Sequence, residues 1–206
     1  MKLVFATGNK GKLREAREIL GPSFDVLSPA DLGIHEDVAE TGATIKENSI
    51  IKAEAFGALS GLDCFADDTG LEVDALGGAP GVHAARYAVD VALRDGAPLP
   101  ADHDFSANID TLLRELSKHP GEPRTARFRS VVTLRLGGEM YFFEGTLEGR
   151  IALGRSGSGG FGYDPVFIAD EYPGCSVAEL PEEVKNAISH RGKALRAMAR
   201  WLQERE

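Results

Sequence analysis

Asp67 and Asp68 stand side by side after a short apolar run, Cys64-Phe65-Ala66, and directly before Thr69-Gly70. A carboxylate at the end of a strand in an open α/β sheet lies where such sheets place ligands. It suits either of two tasks: holding a hard cation such as Mg2+, or taking a proton from water. Successive strand residues face opposite sides, so only one of the pair would meet a given ligand directly unless a turn begins there. The same dipeptide also reads as an Asp turn whose carboxylates satisfy local N–H groups. Glu40, beyond an acidic stretch, and Lys52, on the helix that follows, join the candidates by position. Each is otherwise an ordinary solvated side chain.

The segment Thr7-Gly8-Asn9-Lys10-Gly11-Lys12 follows a buried-strand pattern, Leu3-Val4-Phe5-Ala6, and opens a helix with lysines in its first turn. A helix N-terminus attracts anions through its unpaired N–H groups and its dipole, and lysines fit that end only when an anion visits. A phosphate site and a plain strand–helix turn with solvated lysines both satisfy the pattern. It is not a Walker A loop, because the spacing before Gly11-Lys12 is too short and Leu13 replaces Ser or Thr.

Gly157-Ser158-Gly159-Gly160-Phe161-Gly162 contains the letters GxGxxG. A dinucleotide fingerprint requires a helix to open immediately afterwards. Here Tyr163-Asp164-Pro165 follows, and the proline disfavours helix at Asp164. The run reads instead as a loop presenting Phe161, Tyr163 and Asp164, an aromatic beside an acid, which can stack on and hydrogen-bond a nucleobase or simply make a hydrophobic turn. Lys185-Asn186 and Ser189-His190-Arg191-Gly192-Lys193 form a polar cluster at a helix start, suited to phosphate or base edges or to an ordinary cap. Taken together, the segments describe a site for an aromatic polyanion with a divalent metal, that is, a nucleoside triphosphate.

The elements that must position these residues alternate. Leu3–Thr7 and Phe24–Leu27 read as strands around a helix over Lys10–Leu20. Thr44 to Glu47 is a capping box for a helix ending near Leu59 before Gly61. Cys64–Ala66 reads as a short strand, 90–104 as a surface loop, and Ala107–Leu116 as an amphipathic helix. Ala126–Leu136 and Met140–Leu147 read as a hairpin about Gly137-Gly138. Val166–Ile168 reads as a short strand, and Ser189 as the cap of a C-terminal helix with Leu195, Met198, Trp201 and Leu202 inward. The class is α/β with a mixed sheet.

With 206 residues the chain can bury a full core in one domain. A net charge of −9 excludes a nonspecific binder of nucleic-acid polymers. Cys64 and Cys175 lack metal or redox spacing and read as free thiols of a reducing compartment. Without a signal peptide or an apolar run long enough to span a membrane, the expected location is cytoplasmic.

Four blocks, in order along the chain, carry a family resemblance: Thr7-x-Asn9-x-x-Lys12, the run from Ala66 to Leu76, Phe161-Gly162-Tyr163-Asp164-Pro165, and the run from Ser189 to Leu195. The sequence resembles the inosine/xanthosine triphosphate pyrophosphatases over essentially its whole length. The resemblance implies an elongated, two-lobed α/β fold with a central cleft, spanning 1–206 as one bilobed domain, and usually a homodimer using Mg2+. It implies hydrolysis of ITP, dITP or XTP between the α- and β-phosphates. Thr7, Gly8, Asn9, Lys10, Gly11 and Lys12 would hold the triphosphate, with Lys52 nearby. Asp68 would be general base and metal-associated, Glu40 a metal ligand, and Asp67 a support. Phe161 would stack on the base, Gly162 and Tyr163 would be further substrate-binding residues, and Asp164, Lys185, His190 and Arg191 would line the base end. Thr69 stands where the family commonly has Ser, keeping the hydroxyl for a substrate contact.

Overall fold

The structure is a computed structural model, and it describes residues 1–205. In chain order the elements are β1 (Lys2–Phe5), α1 (Lys10–Leu20), β2 (Asp25–Leu27), α2 (Ile45–Ser60), β3 (Cys64–Val73), β4 (Pro80–Gly81), α3 (Tyr87–Asp95), α4 (Phe105–Ser117), β5 (Thr125–Leu136), β6 (Glu139–Ile151), β7 (Phe167–Ala169), α5 (Glu182–Ile188) and α6 (His190–Gln203). They form an α/β fold with a mixed sheet, in two compact units. The first comprises 1–69, 129–146 and the chain from Asn186; the second comprises 70–128 and 147–185.

In the first unit β1 pairs in parallel with β2 and with β3, placing Leu3 opposite Val26 and Val4 opposite Cys64. Parallel neighbours need crossover helices, which α1 and α2 supply. The apolar run of β1 is buried on both faces, as a parallel strand covered by helices requires. Leu3 and Phe5 pack with Ala16 and Leu20 of α1 and Leu195, Met198 and Leu202 of α6. Val4 faces the other way, toward Ala53 and Phe56 of α2 and Cys64. The α1 helix is capped by Asn9, α2 by Thr44 and α6 by Ser189. Gly145 on β6 lets α6 come close: a Cβ there would lie 2.7 Å from the Ala194 backbone nitrogen.

In the second unit β4 pairs antiparallel with β3 at Leu71 and Glu72, and β7 pairs antiparallel with β6 at Gly149–Ile151. Helices α3 and α4 pack through Tyr87, Ala88, Val91, Ile109, Leu112 and Leu116, all buried. Asn108 locks them, accepting from the Ala88 amide at 2.8 Å and donating to the Ala85 carbonyl at 2.9 Å.

Two expectations need correction, and one element is additional. The strand expected to end at Ala66 continues to Val73, because its aspartates find buried cations and need no turn to satisfy them. The stretch expected as loop from Asp90 begins inside α3, which ends in left-handed Gly96. The seven residues of α5 were not foreseen. The rejected GxGxxG run is indeed followed by a 3-10 turn over Asp164–Val166, not by an α-helix.

Candidate active site

Where β1 gives way to α1, side chains shape the turn. Thr7 Oγ1 accepts from the Asn9 amide at 3.1 Å, and Asn9 Oδ1 accepts from Gly11 and Lys12 at 2.9 and 3.1 Å. Gly8, Asn9, Lys10 and Gly11 are exposed, and the first turn of α1 contains no acid. The helix therefore presents a cationic end.

Behind this turn lies a buried chain of charges. Lys12 donates to Asp67 Oδ1 at 2.9 Å, and Arg191 Nε donates to Asp67 Oδ2 at 2.8 Å. Arg191 also donates to Glu15 Oε2 at 2.9 Å, and Ser189 Oγ donates to Glu15 Oε1 at 3.1 Å. Burial alone would raise the pKa of Asp67, which is 1% exposed; Lys12, Arg191 and Lys52 reverse that and hold it far below the usual carboxylate range. Burial lowers the Lys12 pKa, and Asp67 offsets this only in part.

Asp68, one residue on, has different partners. Lys52 Nζ lies 3.0 Å from Asp68 Oδ1 and 2.7 Å from Glu40 Oε1. Asn48 Nδ2 approaches Asp68 Oδ2 at 3.5 Å while its own Oδ1 accepts from Gly42 at 2.8 Å. Burial, helped by the charge of Glu40, raises the Asp68 pKa against the pull of Lys52. For Lys52, burial works against the charge but Asp68, Asp67 and Glu40 outweigh it, and its pKa rises. Two neighbouring carboxylates are thus driven in opposite directions: one locked as an anion, the other better able to take a proton. Thr69 Oγ1 donates to Ser130 Oγ at 3.4 Å.

Of these groups Lys12, Glu40, Lys52 and Asp67 border a cavity of about 1130 Å3, together with Thr7 and Asn9. Its volume lies just above the range of about 300–1,000 Å3 usual for small-molecule sites. The oxygens of Glu40 and Asp68 converge on one cation position, held here by the Lys52 ammonium. Hard oxygen donors of this kind fit Mg2+. Among the described residues no cluster of three or more His, Cys, Asp or Glu could hold a metal, and Mg2+ commonly needs only one or two carboxylates plus substrate phosphates.

In the second unit the glycine-rich loop presents Phe161, 58% exposed. Its amide donates to Asp164 Oδ2 at 2.7 Å, and Lys185 Nζ donates to the same oxygen at 2.6 Å. Gly160 has φ +80, and a Cβ there would collide with Asp164. Tyr163 is 3% exposed and donates to the Ala84 carbonyl at 2.7 Å. Its side chain therefore serves the core, and only its backbone and that of Gly162 remain for a ligand. His190 opens α6, half-buried.

The sequence profile of the Ham1 family matches residues 3–201. The chain belongs to the Ham1 family. It is 45% identical over 202 residues to a dITP/XTP pyrophosphatase of Christiangramia forsetii, covering 98% of this chain and 99% of that one. It is 48% identical over 201 residues to a dITP/XTP pyrophosphatase of Porphyromonas gingivalis, covering 98% and 97%. The structure of the Staphylococcus aureus Ham1 protein superposes with a TM-score of 0.86 at 35% identity, covering 100% of both chains.

Within this Ham1 chain, the structure draws Lys12, Asp67 and Arg191 into one group, Glu40, Lys52 and Asp68 into another, and Phe161, Asp164 and Lys185 into a third. Arg191 is tied to Asp67 and Glu15 within the first unit. Two residues joined to these groups were missed, Glu15 and Asn48. Their signal was helical spacing: Glu15 lies one turn from Lys12 on α1, and Asn48 one turn from Lys52 on α2.

Proposed function

We propose that this Ham1-family protein hydrolyses noncanonical purine nucleoside triphosphates (ITP, dITP and XTP) to the monophosphate and pyrophosphate, removing deaminated purines from the nucleotide pool. The observation that carries the reading is the pairing of a buried Asp68 of raised pKa with Lys52, next to an Asp67 fixed as an anion between Lys12 and Arg191. The names carried by its relatives support the same chemistry.

In this reading the polyphosphate meets the exposed turn Thr7 to Lys12, with Lys12 and Lys52 as its cations. Asp68 orients a water and takes its proton as the water oxygen bonds the α-phosphorus. The bond from that phosphorus to the bridging oxygen breaks, and the electron pair leaves with pyrophosphate. Such transfers depend on charge neutralisation and an aligned nucleophile rather than on covalent catalysis. Mg2+, held by Glu40 and Asp68, would supply further neutralisation of the phosphate oxygens. Asp67 keeps Lys12 and Arg191 in place.

At the base end Phe161 offers a ring for stacking. Lys185 and Asp164 set a donor beside an acceptor, 2.6 Å apart. Hypoxanthine and xanthine present an O6 acceptor next to an N1–H donor, which this pair matches; adenine reverses both and would leave polar groups unpaired. Guanine shares the O6 and N1–H pattern, so this pair does not by itself distinguish GTP from XTP or ITP. By family resemblance the protein works as a cytoplasmic homodimer.

The deciding experiment incubates purified protein and Mg2+ with ITP, dITP, XTP, GTP and ATP and separates the products. Pyrophosphate from the first three, with little turnover of ATP, is expected. Orthophosphate as product, or ATP turned over as fast as ITP, overturns the reading, as does tight ITP binding with no product, which would make the protein a sensor.

A further inference from the structure

Phe161 is the most exposed aromatic side chain among the described residues, and it sits on a loop built largely of glycine. A ring in that setting would ordinarily sample several rotamers, and ordering it would weaken binding of anything stacked on it. Its ring is instead met by Phe105, with centroids 4.3 Å apart and planes at 61°. This is the edge-to-face arrangement preferred by aromatic pairs. Gly162 leans on the same side chain: a Cβ there would lie 3.9 Å from the Phe105 ring.

Phe105 is far better fixed than its partner. It is the first residue of α4, whose start is set by Asp104 accepting from the Ala107 amide at 3.0 Å. The helix is locked in turn through Asn108. Arg155, near the start of the glycine-rich loop, donates to the Ser106 carbonyl at 2.8 Å and pairs with Asp110 at 3.0 Å. The loop is therefore pinned to α4 at one end by Arg155 and closed at the other by Asp164, with the two phenylalanines between.

We infer that Phe105 is a positioning residue for the nucleobase: it presets the plane of the Phe161 ring, so that the base stacks without first having to order it. The inference rests on the proposed function, and it assigns to α4 a part in base recognition that does not touch the phosphates.

The test compares Phe105→Ala, Phe105→Leu and Phe105→Tyr with the wild type, in dITP turnover and in inhibition by inorganic tripolyphosphate, which has no base. Loss of the preset ring should raise KM for dITP about three- to tenfold in the Ala and Leu variants. kcat and the tripolyphosphate inhibition constant should stay at wild-type values, and Tyr should restore KM. Leu keeps apolar bulk at the helix start, so it reports even if Ala fails to fold. An unchanged KM in a folded Leu variant overturns the inference, as does a parallel change in kcat and tripolyphosphate inhibition. A wild type that releases no pyrophosphate from dITP would instead sink the proposed function; a normal wild type with unaffected variants sinks this inference alone.

Discussion

The ammonium of Lys52 stands 3.0 Å from the carboxylate of Asp68, so the proposed proton acceptor has a cationic partner before any ligand arrives. The same ammonium reaches Glu40, and a divalent ion drawn to these two carboxylates has to displace it. In chelator-treated protein, Lys52→Met should lower unfolding stability by about 3 kcal/mol, the scale for stranding one partner of a buried pair. Adding Mg2+ should then return more stability to the variant than to the wild type. Equal Mg2+ shifts in thermal melts would show that Lys52 and the cation do not compete.

Asp68→Asn preserves shape and removes the base. kcat should fall about 10²- to 10⁴-fold, the usual contribution of one positioned acid or base, with a smaller change in KM. Steady-state kinetics on dITP check this, and full activity in the variant would remove Asp68 from its role.

Asp67 predicts an acid limb in stability. Its folded pKa lies well below the unfolded value of about 3.9, so its stabilisation is complete above the unfolded value and fades as pH falls toward the folded one. Urea denaturation of metal-free protein should show stability dropping between about pH 5 and pH 3. Asp67→Asn should be less stable at pH 7 and show a shallower drop over that interval. Parallel curves would contradict the ion-pair account.

Glu15 holds both Arg191 and Ser189. Glu15→Gln should cost about 1–3 kcal/mol of stability, as expected when a buried charge-assisted hydrogen bond is lost, and should lower kcat/KM through Arg191. A variant equal to the wild type in both urea melts and kinetics would make the pair incidental.

Much of this was legible in residue order. Helix α1 spans the residues its periodicity indicated, and Thr44, Gly61 and Ser189 mark the helix ends where capping chemistry places them. What escaped was long-range. Whether Asp67 begins a turn or continues a strand depends on Arg191, whose side chain bonds it from 124 positions away. Lys52 looks solvated on its own helix yet is 9% exposed, its ammonium between Asp68 and Glu40. Tyr163 shares a motif with Phe161 yet points into the core, since no local pattern tells one aromatic from the other.

The first unit is assembled from three separated stretches of chain, and the last begins at Asn186. A ribosome therefore delivers Lys12, Lys52 and Asp68 long before Arg191, and long before Leu195, Met198 and Leu202 can close over Leu3 and Phe5. A nascent or prematurely terminated chain leaves Asp67 without its arginine and the unit without the cover of its last helix. Assembly of the charge chain around Asp67 thus waits on the synthesis of α6.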